Sequence, residues 1–113
     1  MLLPWLCNRP LRRISVIIPN WNGVEHLPTC LDSLRHQTLE DVQVIVVDNG
    51  STDDSLQLLE RRYPEVNVLP LSENRGFAGA CNAGIRAARG EFIVLLNNDT
   101  EAEANWLEEV LVA

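Results

Sequence analysis

An apolar run, Phe92-Ile93-Val94-Leu95-Leu96, stops abruptly in two amides and a carboxylate, Asn97-Asn98-Asp99, with Thr100 behind them. Apolar residues in an unbroken run between polar ones read as a strand buried on both faces, the kind found in parallel sheets covered by helices. Asn97 to Asp99 then lie at its carboxyl end. In open parallel sheets ligands bind outside the carboxyl ends of the strands, so a polar cluster at that point is a candidate site. Asn, Asp and Thr also make ordinary turns and helix caps, and the rest of the chain has to decide between the two.

From Ile14 onward short apolar runs alternate with helix-period segments, the signature of βα units. The first strand is Ile14-Ser15-Val16-Ile17-Ile18, ended by Pro19. After Asn20-Trp21-Asn22-Gly23, the spacing of Val24, Leu27, Leu31 and Leu34 predicts one face of a helix, with Pro28 in its first turn where a missing amide does little harm. Val42 to Val47 is a second, β-branched strand ending in Asp48-Asn49-Gly50. Ser51 or Thr52 can cap the next helix, Asp53 and Asp54 suit its positive amino end, and Pro64 closes it after Tyr63. Val66 to Leu71 forms a third strand. Gly76 to Gly90 reads as a helix of small residues capped by Gly90, and it does not fit Gly-x-Gly-x-x-Gly. The fourth strand is the run at Phe92, after which Thr100 and Glu101 open a last helix carrying Trp106, Leu107, Val110 and Leu111.

No repeat, low-complexity tract or linker interrupts this pattern, so residues 14–113 read as one unit. Residues 1–13 carry Leu2, Leu3, Trp5 and Leu6 around Pro4, then Arg9, Arg12 and Arg13. That apolar stretch is too short to span a bilayer or to form a signal-peptide core. It reads as a loose arm.

Strands each followed by a helix force a parallel sheet with right-handed crossovers. All carboxyl ends then point the same way and gather the loops Pro19 to Asn22, Asp48 to Asp53, Ser72 to Gly76 and Asn97 to Asp99 on one edge. The opposite loops, such as Arg89-Gly90-Glu91, show no comparable cluster of Asp and Asn, and this asymmetry favours a binding edge. Composition narrows what binds. All nine basic residues are Arg, which excludes a Walker-type phosphate loop and Schiff-base lysine chemistry. A net charge of -7 argues against nucleic acid and anionic lipid as partners. Cys7, Cys30 and Cys81 make neither a disulfide framework nor a zinc site and suit a reducing cytoplasm.

A nucleotide diphosphate on this edge must be neutralised by arginine, helix amino ends or a metal ion. Asp99 is a hard-oxygen ligand of the kind magnesium or manganese takes together with substrate phosphates. Trp21, between Asn20 and Asn22, offers a flat face for a base and amides for its edge, or else is a core Trp. Asp48 can accept from a base imide N–H or a ribose hydroxyl, or else is a turn residue beside Asn49-Gly50. A receiver-like domain with Asp48 as phosphoacceptor wants an acidic pair after the first strand and a late lysine, and neither is present.

The series Ser15-Val16-Ile17-Ile18-Pro19-Asn20-Trp21-Asn22, Val46-Val47-Asp48-Asn49-Gly50-Ser51-Thr52-Asp53, Asn74-Arg75-Gly76-Phe77-Ala78-Gly79-Ala80-Cys81-Asn82-Ala83-Gly84 and Leu96-Asn97-Asn98-Asp99-Thr100 resembles the nucleotide-binding half of family 2 glycosyltransferases, in particular the rhamnosyltransferase-like branch. The resemblance implies a Rossmann-like three-layer α/β/α fold with sheet order 3-2-1-4, the first part of the glycosyltransferase A fold. It also implies a UDP- or dTDP-sugar donor. Pro19, Asn20 and Trp21, with Asn22 beside them, would line the base pocket, and Asp48 would contact the base. Asn97 and Asn98 stand in the family's Asp-x-Asp motif, Asn97 in place of its first, ribose-associated carboxylate. Asp99 stands at the metal-binding carboxylate, for manganese or magnesium. Arg75 and Asn82 lie in the motif that approaches the diphosphate or sugar. Trp21 replaces the more frequent tyrosine.

Family members invert the sugar carbon by direct displacement, with a downstream aspartate as general base. That base and the acceptor site are expected beyond Ala113, so these 113 residues are expected to bind donor without completing transfer to a glycan or lipid-linked acceptor. The family further implies polysaccharide biosynthesis for the cell envelope, in the cytoplasm at the inner membrane face. A sheet stopping at its fourth strand leaves an edge open, which predicts self-association. A non-enzymatic nucleotide-binding or regulatory remnant is the alternative that shares the same motifs.

Overall fold

A computed structural model describes residues 14–112; the arm at residues 1–13, Cys7 and Ala113 lie outside the described residues. The elements run β1 (Ile14–Asn20), α1 (Leu27–Arg35), β2 (Val42–Asn49), α2 (Ser55–Arg62), β3 (Asn67–Leu71), α3 (Gly76–Ala87), β4 (Phe92–Leu95) and α4 (Trp106–Val112). The sheet order is β3-β2-β1-β4, and every pairing is parallel. Both agree with the order 3-2-1-4 implied by the resemblance.

Side chains on a strand alternate between faces, and β1 shows what that does here. Ile14, Val16 and Ile18 join Leu27, Leu31 and Leu34 of α1, Leu59 of α2 and Leu107 of α4 in one core. Ile17 turns the other way, with Ile45 and Val47, onto Ala80 of α3. Three helices therefore cover one face and α3 alone covers the other. The second layer is thin because α3 is built of small residues. A Cβ at Gly84 would collide with Ile17 Cγ2 and lie 3.1 Å from Val47 Cγ2.

The polar residues of the inner strands are paired rather than solvated, as burial demands. Ser15 Oγ donates to Gln43 Oε1 at 2.7 Å, and Gln43 Nε2 donates to Asn67 Oδ1 at 3.1 Å. Backbone N–H groups of Arg89 and Gly90 close this network onto Gln43 and Ser15. Gly90 is there because its backbone packs on β1, a Cβ falling 2.6 Å from Ser15 N. It does not cap α3, which ends at Ala87 with Ala88 extended.

Three further expectations shift. Pro19 lies within β1 instead of ending it, paired in register with Val47. Ile17 C=O accepts from Leu96 N–H on the β4 side, so the alternation of backbone groups points Pro19 N to that side too. β4 has ended by then, its last partner pair being Ile17 with Leu95, and no ladder bond is lost. α1 starts at Leu27, with Pro28 in its first turn as predicted. α2 starts at Ser55, and Asp53 Oδ1, not Ser51 or Thr52, accepts from the Ser55 N–H. α4 starts at Trp106 rather than Thr100, because the intervening backbone bonds to α1 and the turn that follows it. Ala102 N–H donates to Ser33 Oγ, Glu103 C=O accepts from Gln37 Nε2, and Ala104 C=O accepts from Thr38 N–H.

The largest correction concerns the run at Phe92. It is a strand, but not one buried on both faces: Phe92, Ile93 and Leu95 are 50%, 43% and 46% exposed. β4 pairs only with β1, and α3 packs on β1 and β2. An unpaired edge with helices set inward leaves its apolar side chains open.

Candidate functional site

The strand directions bring the four polar loops together at the carboxyl edge, and Asn20 is where three of them meet. It is 1% exposed at the end of β1. Its Nδ2 donates to Asp48 Oδ1 at 3.2 Å and to Ser51 Oγ at 3.5 Å. Its Oδ1 accepts from Asn98 Nδ2 at 2.8 Å. One side chain thus links the loops after β1, β2 and β4. Asp48 is equally buried, and its other oxygen accepts from Ser51 N–H at 3.1 Å. The turn role for Asp48 is therefore realised here.

Asn22 takes a left-handed φ of 49°, a region Asn tolerates better than most residues. That backbone aims its Oδ1 at the N–H groups of Thr52 (2.7 Å) and Asp53 (3.2 Å), while its own N–H donates to Ser51 Oγ at 2.9 Å. Asp53 returns the link by accepting from Val24 N–H at 3.1 Å. Between Asn20 and Asn22, Trp21 is 55% exposed. It is not a core Trp. Pro19, just before Asn20 in β1, is half-buried.

The third loop is held by Asn49, which beside Gly50 suggests only a turn from the sequence. Asn49 Oδ1 accepts from Arg75 N–H at 2.8 Å, and its Nδ2 donates to Asn74 Oδ1 at 3.1 Å and Gly76 C=O at 3.2 Å. Gly50, at φ 78°, permits this approach, since a Cβ would lie 2.8 Å from Asn74 N. Asn49 and Ser51 organise the site through these hydrogen bonds. Their only signal in the sequence was polar residues beside a strand end. Arg75 is exposed on this loop just ahead of α3, whose amino end adds partial positive charge. Asn82 stands apart. It is exposed on α3, turned away from the sheet-facing Ala80 and Gly84.

In the fourth loop Asn97 and Asp99 are exposed and Asn98 is half-buried against Asn20. Cys30 Sγ lies 3.8 Å from Asn97 O; burial pushes its thiol up to about 11, and the nearby Asp99 charge adds to the rise. No group of three His, Cys, Asp or Glu able to hold a metal occurs among the described residues. Asp99 can offer one hard oxygen facing solvent, which fits a cation whose remaining ligands come from a diphosphate and water.

Asp53 ties the first two loops, and its acidity records that. Burial pushes its carboxyl up, but hydrogen bonds donated by Ser55 and by Val24 N–H outweigh burial and hold it below the ordinary value. Its unfolded value is about 3.9, so its contribution to stability is present above roughly pH 4 and is lost as pH falls through the lower folded value. Asp53→Asn is expected to flatten this acid loss in urea unfolding from about pH 5 to 2.5.

The sequence model described as "Glycosyl transferase family 2" matches residues 15–112. The chain belongs to this family. Putative glycosyltransferase EpsH of Bacillus subtilis is 35% identical over 100 residues, 87% of this chain and 29% of its own. S. aureus TarS 1–349, solved with UDP-GlcNAc, is 30% identical at a TM-score of 0.81, over 88% of this chain and 30% of its own. Mannosyltransferase PcManGT from Pyrobaculum calidifontis, solved with GDP-Man and Mn2+, is 30% identical at a TM-score of 0.71, over 81% and 29%. The family 2 chain described here therefore spans less than a third of the length of these relatives. Its sheet and helices are the first part of the glycosyltransferase A fold that these structures share. No helix among the described residues is long and apolar enough to cross a membrane.

Proposed function

We propose that this family 2 chain forms the donor side of an inverting glycosyltransferase that moves a sugar from UDP or dTDP to a glycan or lipid-linked acceptor. The observation that carries the proposal is Trp21, a large aromatic left 55% exposed on the edge where the polar loops converge. An exposed ring held between two anchored amides suits stacking against a base. Pro19, Trp21, Asn22 and the Asp48 turn make the base end, Asn97 the ribose end, and Arg75 with the α3 amino end the diphosphate end. Asn82 lies farther along α3, on the sugar side of this assignment. Asp99 would hold a divalent cation, Mn2+ or Mg2+, which when bound supplies positive charge for the diphosphate.

TarS with UDP-GlcNAc and the mannosyltransferase with GDP-Man and Mn2+ support the nucleotide-sugar and metal parts. The general base and acceptor site belong to segments other than these 113 residues, which on this proposal bind donor without transferring sugar. The work of the whole enzyme is envelope polysaccharide synthesis on the cytoplasmic side, at the inner membrane face. Calorimetric titration with UDP and dTDP, with and without manganese, tests the donor site. Metal-strengthened binding of either nucleotide is the expected result, and sugar transfer by the 113 residues would overturn the division of labour.

The open edge supports a second proposal, self-association through β4. Ile93 and Leu95 share the face that α3 leaves uncovered, and strand edges without charge or proline pair with other edges. Light scattering at high concentration is expected to show a dimer, returned to monomer by Ile93→Lys. A monomeric wild type would refute it.

A further inference from the structure

The Asn97-Asn98-Asp99 loop and the Asp48 turn come from strands that are not neighbours, since β1 lies between β2 and β4. Something must fix their relative placement. Among the described residues, the only hydrogen bonds between side chains that run between these loops through β1 are those of Asn20, which holds Asp48 with its amide nitrogen and Asn98 with its oxygen. We propose that Asn20 and Asn98 form a clasp that sets Asp99 relative to the Asp48 turn. They act as positioning residues for the two ends of the donor site, not as contacts to the donor.

Two observations support this. Asn20 is 1% exposed, and both its amide N–H groups and its oxygen already have partners, so it has little left to offer a ligand. Gly23 is buried directly against the clasp, where a Cβ would overlap both Asn98 Nδ2 and Asn20 Oδ1. Gly23 has no left-handed φ to explain it. The glycine is required by the space the paired amides occupy.

The inference rests on the donor-site proposal for its functional meaning, but the clasp itself has a ligand-free signature. Hydrogen exchange on the 113-residue chain compares the wild type with Asn98→Ala and Gly23→Ala. Both variants are expected to speed exchange in residues 97–100 and in the 48–52 turn while β1 and β2 stay protected. Titration with UDP, with and without Mn2+, then reads function. Both variants are expected to cut the manganese enhancement roughly tenfold, as loss of an orienting partner does, with metal-free affinity changed less than about twofold. Gly23→Ala separates positioning from contact, because it keeps both amides and only displaces them. An effect from Asn98→Ala alone would mean that Asn98 touches the donor, and overturns the clasp. Unchanged exchange at the 48–52 turn overturns it too. A wild type that binds no UDP refutes the donor site, and exchange alone then decides the clasp.

Discussion

Asp99→Ala is expected to abolish the strengthening of UDP binding by manganese while leaving metal-free binding nearly intact. Asp99 is exposed, with no hydrogen bond among the described residues that its loss would break, so the fold should not suffer. The proposed base end lies on other loops, anchored through Asn20 and Asn22. A charge-assisted interaction is worth about 1.5–3 kcal/mol, about tenfold to a hundredfold in Kd. The effect should be near the upper end, because Asn97 replaces the other carboxylate of the family motif and leaves Asp99 as that motif's only charge. Calorimetry on the variant with UDP, with and without Mn2+, checks this. Equal loss in both conditions would place Asp99 in direct contact with the nucleotide. Asn97→Asp should do the opposite and raise metal affinity.

The largest effect on stability is expected from Gly84→Val. In an exposed helix interior, replacing Gly with a residue bearing a side chain helps the helix by up to about 1 kcal/mol. Here the sign reverses. The first added carbon falls on Ile17 and within 3.1 Å of Val47, both fully buried in the sheet, and neither can move aside without disturbing β1 or β2. Overpacking of this kind costs about 1–3 kcal/mol, and a β-branched residue sits at its top. For a domain of this size that is a fall in Tm of roughly 10–20 °C. Asn82→Ala, on the exposed side of the same helix, should change Tm by little, about the ±0.5 kcal/mol usual for surface sites. Thermal unfolding of both variants checks the contrast. A Gly84→Val protein as stable as wild type would mean that α3 lies farther from the sheet.

Strand existence and direction were legible because β-branched runs such as Val42 to Val47 have one reading, and parallel pairing follows from intervening helices. The convergence of loops followed from direction alone. What was not legible depended on partners distant in sequence. Gly90 looks like a helix cap until Ser15, 75 positions away, is seen against it. Thr100-Glu101 looks like a helix start until Ser33, Gln37 and Thr38 claim the backbone that follows. The Phe92 run misled for a different reason. Hydrophobicity reports what a strand would bury, whereas burial depends on which elements lie beside it. At the site, residue types pointed to the loops, but Asn20 and Asp48 differ from Trp21 and Asp99 only in where their side chains turn.

The central position of β1 also governs when the fold can complete. β1 is the first strand of the sheet, yet its β4 side is closed only by a strand whose loop residue Asn98 lies 78 positions from Asn20. Contacts closed over such long loops form slowly, since the chain entropy is lost before the contact is gained. β1 with β2 and β3 can assemble early, and docking of β4 should be the late kinetic event. Destabilising changes at Phe92 to Leu95 should then mainly speed unfolding, whereas changes at Ile17 or Ile45 should slow folding.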